Sequence, residues 1–547
     1  MEAHSDLFEY RFLLVSLHID GVLRETTIAR RTTRLKSMSN GVGLGGAYDA
    51  TLERIKAQDG EKVKLAMATL MWICHSERPL QVDELCHALA VEIGSADFDP
   101  DNVPLIATLL GCCQGLIAVD KEASTVRLIH YTLQEYLSSY PDLLAMAHST
   151  IAETCLTYLN SRQLKGLPPY PLPDDRIMPF LKYSSRYWGT HAKREFSDRA
   201  MPLALELLSW YETHISATSL LTQSRGGYDF SDGFHGTDGS SLFSALHCAS
   251  FFGIVELVNT LMNNKFSGIN QRDCTGATPL SWAAENGHEE VVMLLSDQEN
   301  ISPGKPDEQG RTPLWYAASG GHEGVVKTLL ERNNVDPNFP DNEGRTPLLM
   351  SAVGGEEGVA KILLERKYIN PNCRDHGGRT ALWFAAGLGR ERLVKTLLER
   401  KDVDPNCPDN NGLMALLLAA IRGEEGVVRI LLEQEDISLN RRNNRGRTAL
   451  WFASAFGHEG LVKLLLERKN IDPHCPDNMG ITPLWVASAF RHEGLVKLLL
   501  EWTNIRPDSP DSDSVPLFRP AAIEFEEIAK LLLELKGAGS NRPGNEN

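Results

Sequence analysis

From residue 276 onward, apolar and polar positions recur every 34 residues. Glycines stand at 276, 310, 344, 378, 412, 446 and 480. Two places later come Thr278, Thr312, Thr346, Thr380, Met414, Thr448 and Thr482, followed by Pro or Ala, Leu, two variable residues and a small pair such as Ala317-Ala318. In the unit at Gly310, Thr312 is placed to cap a helix, with Pro313 at its first position, where no N–H is required. Gly320-Gly321 ends that helix. A second is predicted from His322-Glu323, with Val325, Val326, Leu329 and Leu330 as its apolar stripe and Glu323 and Lys327 as an i,i+4 pair on its wet face. The segment Asn333–Asn338 then breaks the helix and leads into a turn at Asp341–Gly344. One such helix pair cannot cover its own apolar face, so neighbouring units must stack.

Before the repeats, helical patterns run over Lys62–Cys74, Gln81–Ala90 and Leu105–Leu116. Short strands are predicted at Ile117–Asp120 and Thr125–His130, around the turn 121–124. Three helices and a two-stranded wing describe a winged helix. Residues 141–225 read as helical, with Tyr183 and Arg186-Tyr187-Trp188 as anchors, and the glycine-rich stretch 226–241 reads as a linker. Weaker units at Ser244–Val258 and Val515–Leu533 bring the array to about nine units over 242–540, as expected where terminal units face water, with a tail at 541–547. The fold class is mainly α: a solenoid preceded by a helical and winged-helix region.

The pattern T-P-L-x-x-A-A-x-x-G-H, then V-V-x-x-L-L, is similar to the ankyrin repeat. Trp315, Trp383, Trp451 and Trp485 stand where that family usually has histidine, and each unit carries one residue beyond the commoner 33; both features resemble the ankyrin arrays of filamentous fungi. Leu70–Cys74, Arg78-Pro79-Leu80, Asp83-Glu84-Leu85, Val126–His130 and Gln134–Leu137 resemble the winged helix, named after GPI inositol-deacylase, that follows the NTPase in fungal NACHT–ankyrin proteins. Phe12–Leu17 and Tyr48–Ile55 look like the end of a NACHT lid. The expected organisation is thus a lid remnant at 1–60, a winged helix at 61–140 and a helical region at 141–225. The resemblance places the nucleotide machinery before residue 1. The phosphate-binding pattern G-x-x-x-x-G-K-[ST] is absent, since Gly304-Lys305 is followed by Pro306. That implies the regulatory half of an NLR-like (STAND) switch without its NTPase core, and no bound nucleotide.

Charge and composition narrow the chemistry. The 547 residues carry a net charge of −17, with 42% hydrophobic and 23% charged residues, values of a globular chain with sizeable cores. Excess acid, and a third winged-helix helix with no charged residue, argue against nucleic acid as a partner. No apolar run approaches the roughly 20 residues of a membrane span, and no secretory signal is visible. With ten scattered cysteines and no CxxC pair, this indicates a reducing compartment: the cytoplasm, with the nucleus also open to it. Cys373, Cys407 and Cys475 share a repeat position, but stacked units about 10 Å apart exceed the roughly 7 Å reach of a disulfide.

Enzyme signatures are missing: there is no G-x-S-x-G elbow and no H-E-x-x-H. His288, His322, His458 and His492 recur at one repeat position, which marks a structural role at a helix start. His130 reads as a packed histidine, with nucleotide sensing as the alternative. Neither cofactor nor metal is expected, and the chain reads as a non-enzyme.

By the ankyrin resemblance, a protein partner would meet the hairpin tips and the concave face of the first helices. The candidates are Arg311, Arg345, Arg379 and Arg447, a file broken by Leu413 and Ile481. The tips add Asn342, His376, Asn410, Asn444 and Asn478, and the helix face adds Arg422, Phe456 and Phe490, beside Asn286 and Leu388. Arginines in line suit a partner bearing spaced carboxylates; the competing reading is a solvated rim. The tryptophans are read as filling the space between units, with ligand stacking as the alternative.

Overall fold

The computed structural model describes residues 27, 29–30, 44–139, 146–168, 172–224, 243–263 and 268–503. The Phe12–Leu17 stretch, the linker 226–241, the last repeat unit and the tail lie outside the described residues. The chain divides into two compact units, one ending at Ala283 and one beginning at Ala284.

The first unit opens with α1 (Leu44–Lys56) and α2 (Gly60–His75), then β1 (Leu80–Gln81), α3 (Val82–Ala90) and α4 (Ile106–Cys112). Strands β2 (Ile117–Asp120) and β3 (Thr125–Leu128) form the wing, followed by α5 (Tyr131–Ser138). The antiparallel hairpin lies where the alternation predicts it, with Val119 opposite Val126. Its turn is closed by the Asp120 carboxylate, which accepts the N–H groups of Glu122 (3.0 Å) and Ala123 (3.2 Å). Sequence reading missed β1, which pairs with β3 to give the order β1-β3-β2, and it extended α4 too far. Two residues of strand carry no periodicity to detect. Buried Glu84 anchors this corner: its carboxylate accepts the Gln81 N–H at 2.9 Å and both terminal nitrogens of Arg78 at 2.7 and 2.5 Å.

The helical layer that follows comprises α6 (Ala147–Leu159), α7 (Leu181–Arg194), α8 (Ala200–Leu208) and α9 (Ile215–Ser224). Trp72 of α2 meets Phe180 and Tyr183 edge-on, at 5.6 and 5.8 Å between ring centroids. Tyr183 and Trp188 are both fully buried, so these anchors serve the core. Trp188 continues the contact into the first repeat helix, α10 (Ala245–Phe252), by packing edge-on against Phe252 at 5.0 Å. Gly189 is required here, because a Cβ would fall inside the Phe252 ring.

In the second unit, each pair of short helices follows the 34-residue register. Examples are Pro313–Ser319 with Glu323–Leu330 and Ala449–Ala455 with Glu459–Leu466, and the helix Glu493–Thr503 ends the described residues. Each first helix packs on its own second helix and on the first helix of the next unit. Thr312, Thr346, Thr380, Thr448 and Thr482 all cap as predicted, their hydroxyls accepting the N–H three residues on at 3.2–3.3 Å. Met414 cannot do so and makes no such bond. The stripe Val325, Val326, Leu329 and Leu330 is buried, each side chain contributing about 1.5–3 kcal/mol when fully removed from water. Ala317 and Ala318, both fully buried, let neighbouring helices approach closely. The Glu323–Lys327 pair does not form as predicted: the Glu323 carboxylate turns to the next unit, into the space that a side chain at Gly358 would fill.

Candidate binding surface

The turns that carry the candidate arginines are built around buried carboxylates. Asp341 Oδ1 accepts the N–H groups of Glu343 (2.9 Å) and Arg345 (2.8 Å), while Oδ2 accepts Arg345 Nε at 2.8 Å. Asp307 holds Arg311, and Asp375 holds Arg379, in the same way. The Asp307, Asp341, Asp375 and Asp477 side chains are 0–1% exposed. A carboxylate can be buried this deeply because two backbone donors and a guanidinium replace its water. The unit at 443 confirms the logic by exception. Asn443 keeps the two backbone bonds, to Arg445 and Arg447 N–H, but offers no charge. Arg447 therefore reaches into the following unit to Asp477, at 3.3 Å, where Ile481 leaves the local arginine position empty of charge. Arg311, Arg379 and Arg447 also lie over the rings of Trp315, Trp383 and Trp451, at 5.8, 5.6 and 4.0 Å. All four arginines thus have a fixed internal task, and only the outer edge of each guanidinium faces water.

The tip asparagines have an internal task as well. Asn342 Nδ2 donates to the Glu308 carbonyl, Asn410 to His376, Asn444 to Asn410 and Asn478 to Asn444, all at 2.8–3.0 Å and all 34 residues back. The His376 backbone N–H donates to the Glu343 carbonyl at 2.9 Å. A second file, not singled out from sequence, explains the segment that carries the extra residue. Asn338, Asn372, Asn406 and Asn440 each donate through Nδ2 to a carbonyl 30 residues on, and each Oδ1 accepts an N–H 32 residues on. One amide thereby satisfies two backbone groups of the next unit.

The recurring histidines start second helices, as expected, and they also stitch: His322, His458 and His492 bond through Nε2 to the carbonyls of Glu285, Ile421 and Ala455, at 2.8, 3.2 and 3.1 Å. The tryptophans do likewise. Trp383 and Trp451 donate Nε1–H to the carbonyls of Leu413 and Ile481, both at 3.1 Å and 30 residues ahead. In the first unit His247, at the equivalent place, makes the same bond to Ala277 at 3.1 Å. The indole therefore takes over the work of the histidine it replaces.

In the later units the residue that closes the first helix is turned outward. Leu388, Arg422, Phe456 and Phe490 are exposed there, Phe456 at 54% and Phe490 at 61%. Both phenyl rings stack on the stitched histidines, Phe456 on His458 at 6.2 Å and Phe490 on His492 at 6.4 Å. At the tips the place after each asparagine is likewise open, with Arg445 exposed and Met479 79% exposed. Those two residues were missed from sequence; the signal available was that this place varies from unit to unit, as Gln309, Glu343, Gly377, Asn411, Arg445 and Met479.

His130 caps α5, its Nδ1 accepting the Thr132 N–H at 3.3 Å, which matches the packed reading. Burial pushes the Cys74, Cys113 and Cys248 thiols up to about 12 and that of Cys86 to about 11, and it also raises Cys373, Cys407 and Cys475. These thiols stay protonated at neutral pH and are poor nucleophiles. Among the described residues, no helix is long and apolar enough to cross a membrane.

Comparison with known proteins agrees with this geometry. Residues 246–341, 326–409 and 382–477 match ankyrin repeats, and residues 52–151 match the winged helix domain of GPI inositol-deacylase. The chain is also similar to the azaphilone pigments biosynthesis cluster protein L of Monascus ruber, at 26% identity over 283 residues, covering 46% of this chain and 59% of that protein. It thus spans under two thirds of the length of that curated relative. Residues 246–477 are ankyrin repeats and residues 52–151 a winged helix of the GPI inositol-deacylase type, the pairing typical of fungal NACHT–ankyrin proteins.

Proposed function

We propose that this chain is a non-catalytic scaffold that captures a protein partner on its repeat array. The observation that carries the reading is the pair Phe456 and Phe490. Two large aromatic rings stand in water, and each is held against a histidine that is itself bonded to the preceding unit. Rings ordered before binding lose little entropy on contact, which is what makes aromatic residues effective anchors. Leu388 and Arg422 extend the same file. The outer edges of Arg311, Arg345, Arg379 and Arg447, with Asn342, His376, Asn410, Asn444 and Asn478, supply a polar rim that suits an acidic partner surface. No nucleic acid enters this reading, because α4 offers no cation to a phosphate backbone. The test is affinity capture from a lysate with the full chain and with Phe456→Ala/Phe490→Ala, quantified by mass spectrometry. The reading requires a protein retained by the first and depleted with the second, at equal thermal stability; an identical set of captured proteins would remove it.

A second reading is the regulatory part of an NLR-like signalling switch, supported by the winged-helix match. Under it, the helical layer and winged helix would respond to nucleotide on an NTPase module. Mixing the chain with such a module, with and without ATP, tests it by co-elution; nucleotide-independent behaviour would exclude it.

A further inference from the structure

Three groups far apart in the chain converge in the first unit, where the segment after α2, the start of α6 and the last turns of α7 come together. His148 Nδ1 and His191 Nδ1 face each other at 2.8 Å, their rings tilted by 30°. A carboxylate oxygen of Glu77 and one nitrogen of each ring all lie within 4.8 Å of one another. His191 is fully buried, and its other nitrogen, Nε2, lies 2.9 Å from the Tyr183 hydroxyl. That hydroxyl also accepts the Glu77 backbone N–H at 3.1 Å. The Arg194 guanidinium clasps the Glu77 carboxylate, and the His75 ring stands edge-on to His148 at 5.3 Å.

We propose that Glu77, His148 and His191 form a binding site for a divalent transition metal of the zinc class. Two neutral imidazoles can face each other through their Nδ1 atoms only if one carries the proton and the other accepts it. The accepting ring already carries its proton on Nε2; moving the donor ring's one proton to its own Nε2 frees both Nδ1 lone pairs and aims them into one space, where a dication takes the place of the single shared proton. On His191 that Nε2–H then donates to the Tyr183 oxygen, the kind of outer partner that fixes the tautomer and orientation of a ligating histidine. No net proton is released from the pair. Two nitrogens bound tetrahedrally at about 2.0–2.1 Å from zinc lie about 3.3 Å apart, so the rings need to part by only about half an ångström. Two nitrogens and one carboxylate oxygen select zinc-like ions over calcium or magnesium, which require mainly oxygen ligands. Three protein ligands leave a fourth position for water. Since Glu77 follows α2 of the winged helix while His191 belongs to the helical layer, the ion would clamp these two parts of the first unit together.

The experiment uses the full chain, stripped with chelator and titrated with zinc against a chromophoric competitor, beside His148→Gln and Glu77→Gln. Both replaced side chains reach solvent, and circular dichroism verifies that the variants fold. The proposal predicts one tight equivalent of zinc in the parent chain, weakened by about 100-fold in His148→Gln and by at least about tenfold in Glu77→Gln. It also predicts a zinc-induced rise in Tm that His148→Gln loses. Cobalt in place of zinc distinguishes these ligands from the ten cysteines, because nitrogen and oxygen ligands give visible d–d bands without a thiolate charge-transfer band. No zinc uptake, a thiolate band, or unchanged affinity in both variants would overturn it.

Discussion

Replacing Asp341 with alanine separates a load carried inside the array from one offered to a partner. The Asp341 side chain is wholly buried and accepts three bonds: two from the backbone of its own turn and one from Arg345 Nε. Removal leaves two turn N–H groups and a guanidinium without their acceptor. Breaking a buried pair from one side costs about 3–5 kcal/mol. Arg345 is itself 37% exposed, so water screens part of its charge, and the lower end, about 3 kcal/mol, is the working value. Asp341→Asn is the internal control. Asn443 already shows that an amide holds both backbone bonds of this turn, so the amide loses only the ion pair with a half-exposed arginine, about 1 kcal/mol. Urea unfolding of the full chain measures both, and amide exchange around residue 341 places the loss locally, since stacked units open piecewise. Equal effects of alanine and asparagine, or a cost of alanine below about 1 kcal/mol, would refute the assignment of this carboxylate as the organiser of its turn. Charge reversal of Arg345 or Arg379 would place two carboxylates against each other and destabilise the unit, whatever happens to a partner.

Two further predictions follow from single hydrogen bonds. Trp451→Phe removes the indole bond to Ile481 and is expected to cost about 1 kcal/mol more than Trp315→Phe, because the Trp315 Nε1 makes no such bond; thermal unfolding of the two variants compares them directly, and equal costs would count against the stitching role. Buried His214 is pushed down to about 3 by burial and by repulsion from Lys165, and its Nδ1 accepts the Ser216 N–H at the start of α9. The folded state holds this ring neutral while the unfolded chain binds a proton, so its contribution is complete above the unfolded value of about 6.5. It is lost as pH falls from there towards 3, by up to about 1.4 kcal/mol per unit; a stability profile flat across that window, or one that His214→Asn leaves unchanged, would contradict it.

The repeat register, the threonine caps, the buried stripe and the wing hairpin were all legible in the sequence, because each rests on local spacing. The roles of Arg345, Asn410 and Trp451 were not. Arg345 and Asn410 read as surface and Trp451 as filler between units, while the groups they bond are Asp341 inside a turn, a carbonyl 34 residues back and a carbonyl 30 residues ahead. One signal was available: an aspartate recurs four places before each of Arg311, Arg345 and Arg379, and asparagine replaces it before Arg447. The meeting of Glu77, His148 and His191 had no signal at all, since no spacing links three separate elements. Phe456 and Phe490 were singled out from sequence because they vary, with Asn286, Leu388 and Arg422, at one place of an otherwise fixed unit, and both rings are exposed there.

The most direct measurement titrates a captured partner, by calorimetry, against two variant pairs. Phe456→Ala/Phe490→Ala removes the exposed rings and leaves the stitching histidines in place; Asn410→Ala/Asn444→Ala removes stitching and leaves the rings. The account predicts that the first pair loses affinity by more than about 30-fold, as expected for two anchor residues costing over 1 kcal/mol each, at unchanged Tm. The second pair should lower Tm and weaken binding by the folded fraction by no more than about fivefold, as expected of rim residues that together cost under about 1 kcal/mol. Full affinity in the phenylalanine pair, with binding lost in a fully folded asparagine pair, would contradict it.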